Sequence, residues 1–214
     1  MIEHLIRTLR AVSMQKEPFP YFFAKNVFPD DYYQELLAHL PQATDYAPLS
    51  EGSVVRPGTY SQRLCIPLEA ASLSGLPFHQ LLFWSRFADF FRSDRVVSEM
   101  VHLFQVEFIQ RFGEQNISLQ PDLGLISDHS DYAIGPHTDH PQKVLTLLFY
   151  FPKDEGQKHL GTSVYEPIDK AFRCEGLRHH PFEGFRKIYS APFLPNSVFG
   201  FFKSDCSFHG VEPL

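Results

Sequence analysis

A chain of 214 residues with 43% hydrophobic side chains is long enough to bury one full core, and it is expected to form a single domain, 1–214. A formal net charge of −6, a pI near 6.0 and the lack of any long Lys/Arg run exclude nucleic acid as a general partner. Cys65, Cys174 and Cys206 lack CxxC spacing, so they indicate neither a disulfide framework nor a zinc knuckle and fit a reducing cytoplasm.

The 22 Phe and 9 Tyr favour a β-rich core, because flat rings pack well on pleated surfaces, and 17 Pro imply many turns. At the N-terminus, Ile2, Leu5, Ile6 and Leu9 recur at helical spacing. Glu3, Arg7, Arg10 and Lys16 interrupt the apolar residues there, so the segment lacks the continuous run of a signal peptide. No stretch approaches the roughly 20 apolar residues that span a bilayer, so no membrane partner and a cytoplasmic location are expected.

The Pro-bounded run EPFPYFFAKNVF predicts a short strand, and Asp30 or Asp31 caps a second helix through about His39, stopped by Pro41. TDYAPLSEGSVVRPGTY reads as loop, and YSQRLCIPL after it alternates like a strand. From about Leu76 to Phe112 the pattern is helical, with a break at Ser93-Asp94. Residues 1–117 thus predict a helical support layer with early strands. From Ser118 the character changes to short apolar strands punctuated by Gly, Pro and Asp: SLQPDLGLIS, KVLTLLFYF, GTSVYEP, FRKIYSAPF, NSVFGFF and SFHGVE. This spacing predicts a barrel or sandwich over 118–214.

Within GPHTDHPQKVLTLLFY, an extended strand would place His137 and Asp139 on one face, with Thr138 pointing away. An imidazole beside a carboxylate is half of a metal site. A third ligand has to come from a distant strand, and His209 in SFHGVEP, the only histidine after His180, supplies one. Two histidines and one carboxylate on one face of an octahedral ion leave three positions open, the arrangement that suits non-haem Fe(II) oxygenases. An HxD triplet alone is weak evidence; its value here lies in the Gly-Pro turn before it and the ordered strands after it.

In their order, HTD, KVLTLLFYF, GTSVYEP, PNSVFGFF and FHGVEP resemble the Fe(II)- and 2-oxoglutarate-dependent dioxygenases, in their prolyl-hydroxylase-like branch, over about residues 118–214. The resemblance implies a double-stranded β-helix, a jelly-roll or cupin-like core packed on the helical layer, with iron held by His137, Asp139 and His209. It implies 2-oxoglutarate as co-substrate and O2 as oxidant, with hydroxylation of a small molecule or protein side chain and release of succinate and CO2. Tyr150 matches the position that hydrogen-bonds the distal carboxylate of 2-oxoglutarate, and Thr146 shares its face if the strand is regular. The alternative for Tyr150 is a core aromatic.

The family's basic anchor, an Arg or Lys several residues beyond the distal histidine, has no counterpart before Leu214. The expectation is a shortened chain whose β core lacks its last strand, since a missing strand leaves an unpaired edge. Lys143 and Arg173 are candidate substitutes for the anchor, set against their reading as solvated surface charges. His140 is expected to point away from the metal, and His129, His159, His179 and His180 to lie in loops. Arg63, Asp131 and Tyr132 are candidate substrate contacts, as is the segment from Glu166 to Arg186 with Arg173 and Arg178. Two other readings compete: a non-catalytic metal- or ligand-binding cupin-like barrel, and zinc hydrolysis, disfavoured because no HExxH motif is present.

Overall fold

A computed structural model of the chain describes residues 1–49, 63–129, 132–176 and 178–213. They form strands in three sheets together with helices, in two compact units. One unit comprises Met1–Tyr33, Leu103–Gly113 and Ala133–Leu214; the other comprises Gln34–His102 and Glu114–Tyr132. Among the described residues, no helix is long and apolar enough to cross a membrane.

The first unit is built on two antiparallel sheets. In one, β1 (Tyr21–Lys25) and β6 (Leu145–Tyr150) flank β9 (Ser197–Phe202), in unbroken register from Leu145 opposite Phe202 to Tyr150 opposite Ser197. All six residues of β9 are buried, which explains why SVFGFF reads as a continuous apolar run rather than a clean alternation. Phe199 and Phe201 face the second sheet and pack with Tyr21, Tyr150, Val164 and Ala191 in one apolar cluster. Both rings are fully buried, and each contributes about 1.5–3 kcal/mol by leaving water. The second sheet runs β5 (Ile134–His137), β10 (His209–Val211), β7 (Ser163–Pro167) and β8 (Phe185–Ser190) in that spatial order.

Helical segments cover the other face of the β1–β9–β6 sheet. Helix α1 (Ile2–Arg10) buries Leu5, Ile6 and Leu9, the stripe its periodicity predicts. Phe104 is fully buried, its ring 5.9 Å from Phe22 and 6.0 Å from Phe202. It separates α5 (Asp94–Leu103) from α6 (Gln105–Phe112), a break the continuous helical pattern does not announce. No Gly or Pro stands there; the chain leaves helical geometry where the Phe104 ring enters the core. Helix α6 ends at Gly113, whose φ of +62° suits a residue without Cβ.

In the second unit, β2 (Ala47–Pro48), β3 (Arg63–Pro67) and β4 (Gly124–Asp128) form the third sheet. Beside the short α3 (Ala70–Leu73), helix α4 (Phe78–Arg92) buries Phe83, Trp84, Phe87 and Phe91, and the Trp84 indole donates to the His39 carbonyl at 2.8 Å. The break before α5 falls at Ser93, as expected: its backbone is extended and its hydroxyl donates to the Phe90 carbonyl. Helix α2 (Asp30–Ala38) carries Asp30 and Asp31 in its first turn.

Gly200 sits at the centre of β9, where a Cβ would lie 2.6 Å from the Phe22 ring and 2.7 Å from Leu147 Cδ2. Gly200→Ala is expected to destabilise the protein by about 1–3 kcal/mol through overpacking, measured as a lowered urea midpoint.

Candidate metal centre

Strand β5 ends at His137, so Asp139 lies just past the strand rather than on it, a departure from the extended HTD geometry expected from sequence. The side chains nevertheless converge. Thr138 turns inward, fully buried, and its hydroxyl donates to the Cys174 carbonyl at 2.8 Å, which anchors the chain where it leaves β5. His209 is the first residue of β10 and stands directly opposite His137 in the β10–β5 pair. Gly210 allows this close pairing: a Cβ there would meet the Ile134 carbonyl oxygen at 2.5 Å.

His137, Asp139 and His209 each offer a ligand atom, and these atoms lie within 4.8 Å of one another. His209 Nε2 is 4.0 Å from Asp139 Oδ2, and the two imidazole rings are 4.3 Å apart, centroid to centroid. An ion bound at about 2.1 Å holds neighbouring donors about 3 Å apart, so a contraction of about 1 Å would complete the group around a cation. The imidazole tautomers suit this role. His137 Nδ1 lies 3.0 Å from the Gly135 carbonyl, and His209 Nδ1 lies 3.0 Å from the Ser207 carbonyl. A carbonyl only accepts, so in each ring Nδ1 carries the proton and Nε2 keeps its lone pair for a metal. Donor set, tautomers and spacing all fit a divalent transition metal.

The carboxylate is supported on both oxygens. Thr146 Oγ1 donates to Asp139 Oδ2 at 2.6 Å, and the Lys143 ammonium contacts Oδ1 at 3.0 Å. Burial alone would raise the Asp139 pKa. Neighbouring His209, the Lys143 ammonium, the Thr146 hydroxyl and His137 together outweigh it and hold the group well below the usual carboxylate range. His137 moves the other way for a base: burial first, then the neighbouring His209, push its pKa well below 6.5, against the opposing pull of the Gly135 carbonyl and Asp139.

Thr146 therefore steadies a ligand, a role its sequence position did not suggest. It shares a face of the regular strand β6 with Tyr150, as expected. Tyr150 is buried in the apolar cluster; its hydroxyl donates to Thr162 Oγ1 at 3.0 Å and accepts from the Thr162 amide at 3.3 Å. Lys143 projects to the metal group through Asp139, with its side chain about half exposed. His140 accepts from the Gln142 amide instead of joining the group, as expected. Arg173 donates to the Lys170 and Phe172 carbonyls.

Of the loop histidines, His179 comes to the site, its ring 4.8 Å from that of His137. The only signal for it in the sequence was the histidine doublet in the segment after β7. Its neighbour His180 packs among Phe172, Phe185 and Phe208, where burial lowers its pKa. His129 and His159 are exposed. Arg63 forms a two-point pair with Asp128 at 2.7 Å on each arm and lies over the Tyr132 ring, whereas Asp131 is outside the described residues. The chain matches no protein-family model and no characterised protein.

Two predictions follow from the electrostatics. Thr146→Val removes the hydroxyl from Oδ2 and is expected to weaken Co(II) binding by about 10-fold or more, measured by titration of the Co(II) absorption. Folded His137 stays neutral while unfolded His137 takes up a proton near pH 6.5, so its contribution to stability is complete above that pH and is lost below it. Urea unfolding between pH 7.5 and 5.5 is expected to show a slope of up to about 1.4 kcal/mol per pH unit from this group, and His137→Gln should flatten the profile by that amount.

Proposed function

We propose that the protein is an Fe(II)- and 2-oxoglutarate-dependent dioxygenase with a double-stranded β-helix core. The observation that carries the reading is the His137–Asp139–His209 group, with both Nδ1 atoms turned to backbone carbonyls and the carboxylate held ionised. The sheet orders β5–β10–β7–β8 and β1–β9–β6, joined through one apolar cluster, support the β-helix assignment. When bound, iron and 2-oxoglutarate supply the oxidising chemistry that couples release of succinate and CO2 to hydroxylation of a substrate.

The protein's part is coordination, orientation and exclusion of water. His137, Asp139 and His209 would hold the ion, which would supply Lewis-acid and redox chemistry to the small molecules that reach it. Thr146 and Lys143 keep Asp139 anionic and aligned. Lys143 is a cation beside the group and has a half-exposed side chain, which suits it to attract a carboxylate co-substrate. Tyr150 and Thr162 form a polar pair on the same side of β6 as Thr146 and are the candidate contacts for the distal carboxylate. Substrate enters past His179 and the segment that carries it. A second reading, a metal-binding barrel without turnover, is favoured by one observation: Lys143 and Tyr150 are both engaged by protein groups, Asp139 and Thr162.

Anaerobic addition of Fe(II) and 2-oxoglutarate separates the two readings. The dioxygenase is expected to give a weak visible charge-transfer band that needs both additions and disappears in His209→Ala, with succinate formed once O2 is admitted. Fe(II) binding with neither band nor succinate would leave the metal-binding barrel.

A further inference from the structure

The turn that follows Asp139 is gripped by charged side chains that do not touch the metal group. On α6, Arg111 Nη1 donates to the Lys143 carbonyl at 2.8 Å and the Lys203 carbonyl at 3.1 Å, while Nη2 donates to the Pro141 carbonyl at 2.6 Å. One planar guanidinium thus joins the helix, the turn and the chain just beyond β9. Lys203 is 2% exposed, and its ammonium donates to the Glu175 carbonyl at 2.8 Å and to Asp205 Oδ1 at 2.9 Å. Its own amide donates to the Val144 carbonyl at the entry to β6.

These contacts close a frame around Asp139. The Cys174 carbonyl is held by Thr138 and the Cys174 amide by the Asp205 carbonyl, so 174–176 is fixed against both sides of the frame. Gly176, at φ +129°, lies against Asp139: a Cβ there would meet the Asp139 carbonyl oxygen at 2.3 Å and Pro141 Cδ at 3.3 Å. The frame also fixes Lys143, whose amide closes the turn onto the His140 carbonyl and whose ammonium holds Asp139 Oδ1. Arg111 thus holds the Pro141 and Lys143 carbonyls of the turn after Asp139, and Lys203 holds the Glu175 carbonyl of the segment packed beside it.

We propose that Arg111, assisted by buried Lys203, is a positioning residue that aligns Asp139 for metal binding through the backbone of the Pro141–Lys143 turn. This rests on the metal-centre reading above. The planar fork matters as well as the charge, because a lysine ammonium cannot span three carbonyls in the geometry that a guanidinium fits.

The test compares Co(II) binding and the Co(II) visible spectrum in wild type, Arg111→Met, Arg111→Lys and the Gly200→Ala control, whose lesion lies elsewhere in the same unit. Arg111→Met is expected to bind Co(II) about 10- to 100-fold more weakly, with shifted bands. Arg111→Lys keeps the charge and should recover only part of the affinity, while Gly200→Ala keeps wild-type affinity and spectrum despite its lower stability. Should Arg111→Met fail to fold, Arg111→Lys carries the comparison.

Wild-type binding in Arg111→Met, or full recovery in Arg111→Lys, would overturn the proposal. If wild type and His209→Ala alike bind no Co(II), the metal reading fails instead. Hydrogen exchange then decides the clamp: in Arg111→Lys the amides of Asp139, His140, Gln142 and Lys143 should exchange at least about 10-fold faster while β7 is unchanged, and unaltered exchange would sink it.

Discussion

The antiparallel pairing of β10 with β5 is the contact on which the site depends. It sets His209 across from His137 with rings 4.3 Å apart, and a slip of one residue would turn one imidazole to the opposite face. The pairing is tight because Gly210 carries no Cβ against the Ile134 carbonyl, and because Thr138 anchors the chain as it leaves β5. On the other side of β10, His209 also pairs with Val164 of β7, and its ring lies 4.4 Å from Phe201 of the facing sheet. The edge that carries the two histidines and the apolar cluster are therefore held by the same strands.

Charge is the second constraint. A carboxylate only 11% exposed beside two imidazoles would be costly to keep ionised without compensation, and Lys143 and Thr146 supply it at hydrogen-bond distance. The histidines are prepared in a complementary way: backbone carbonyls accept hydrogen bonds from both Nδ1–H groups, and burial keeps His137 neutral. A cation entering here would meet one carboxylate and two imidazoles whose Nδ1 atoms are turned to backbone carbonyls.

The turn from Asp139 to Lys143 is the part of the centre outside regular structure, and its restraint comes from side chains distant in sequence. Arg111 and Lys203 hold its carbonyls and its neighbour segment, and Gly176 closes against it. His179 also comes to the site from this part of the chain, its ring 4.8 Å from that of His137.

Much of the architecture was legible from local pattern. Helical periodicity in α1, the aspartates opening α2, the break at Ser93 and the strands from β6 to β10 follow from side-chain spacing and from Gly, Pro and Ser chemistry, which act within a few residues. The HTD triplet and the lone late histidine could be singled out because ligand types are scarce on apolar strands. The break at Phe104, the end of β5 before Asp139, the hydroxyl of Thr146 on the carboxylate and the arrival of His179 and Arg111 were not legible. Each depends on where a distant segment packs. The sequence by itself determined which side chains were available as ligands and which segments became strands; the tertiary structure decided which of them meet, because strand register and close backbone approach are properties of pairs of segments, not of either one alone.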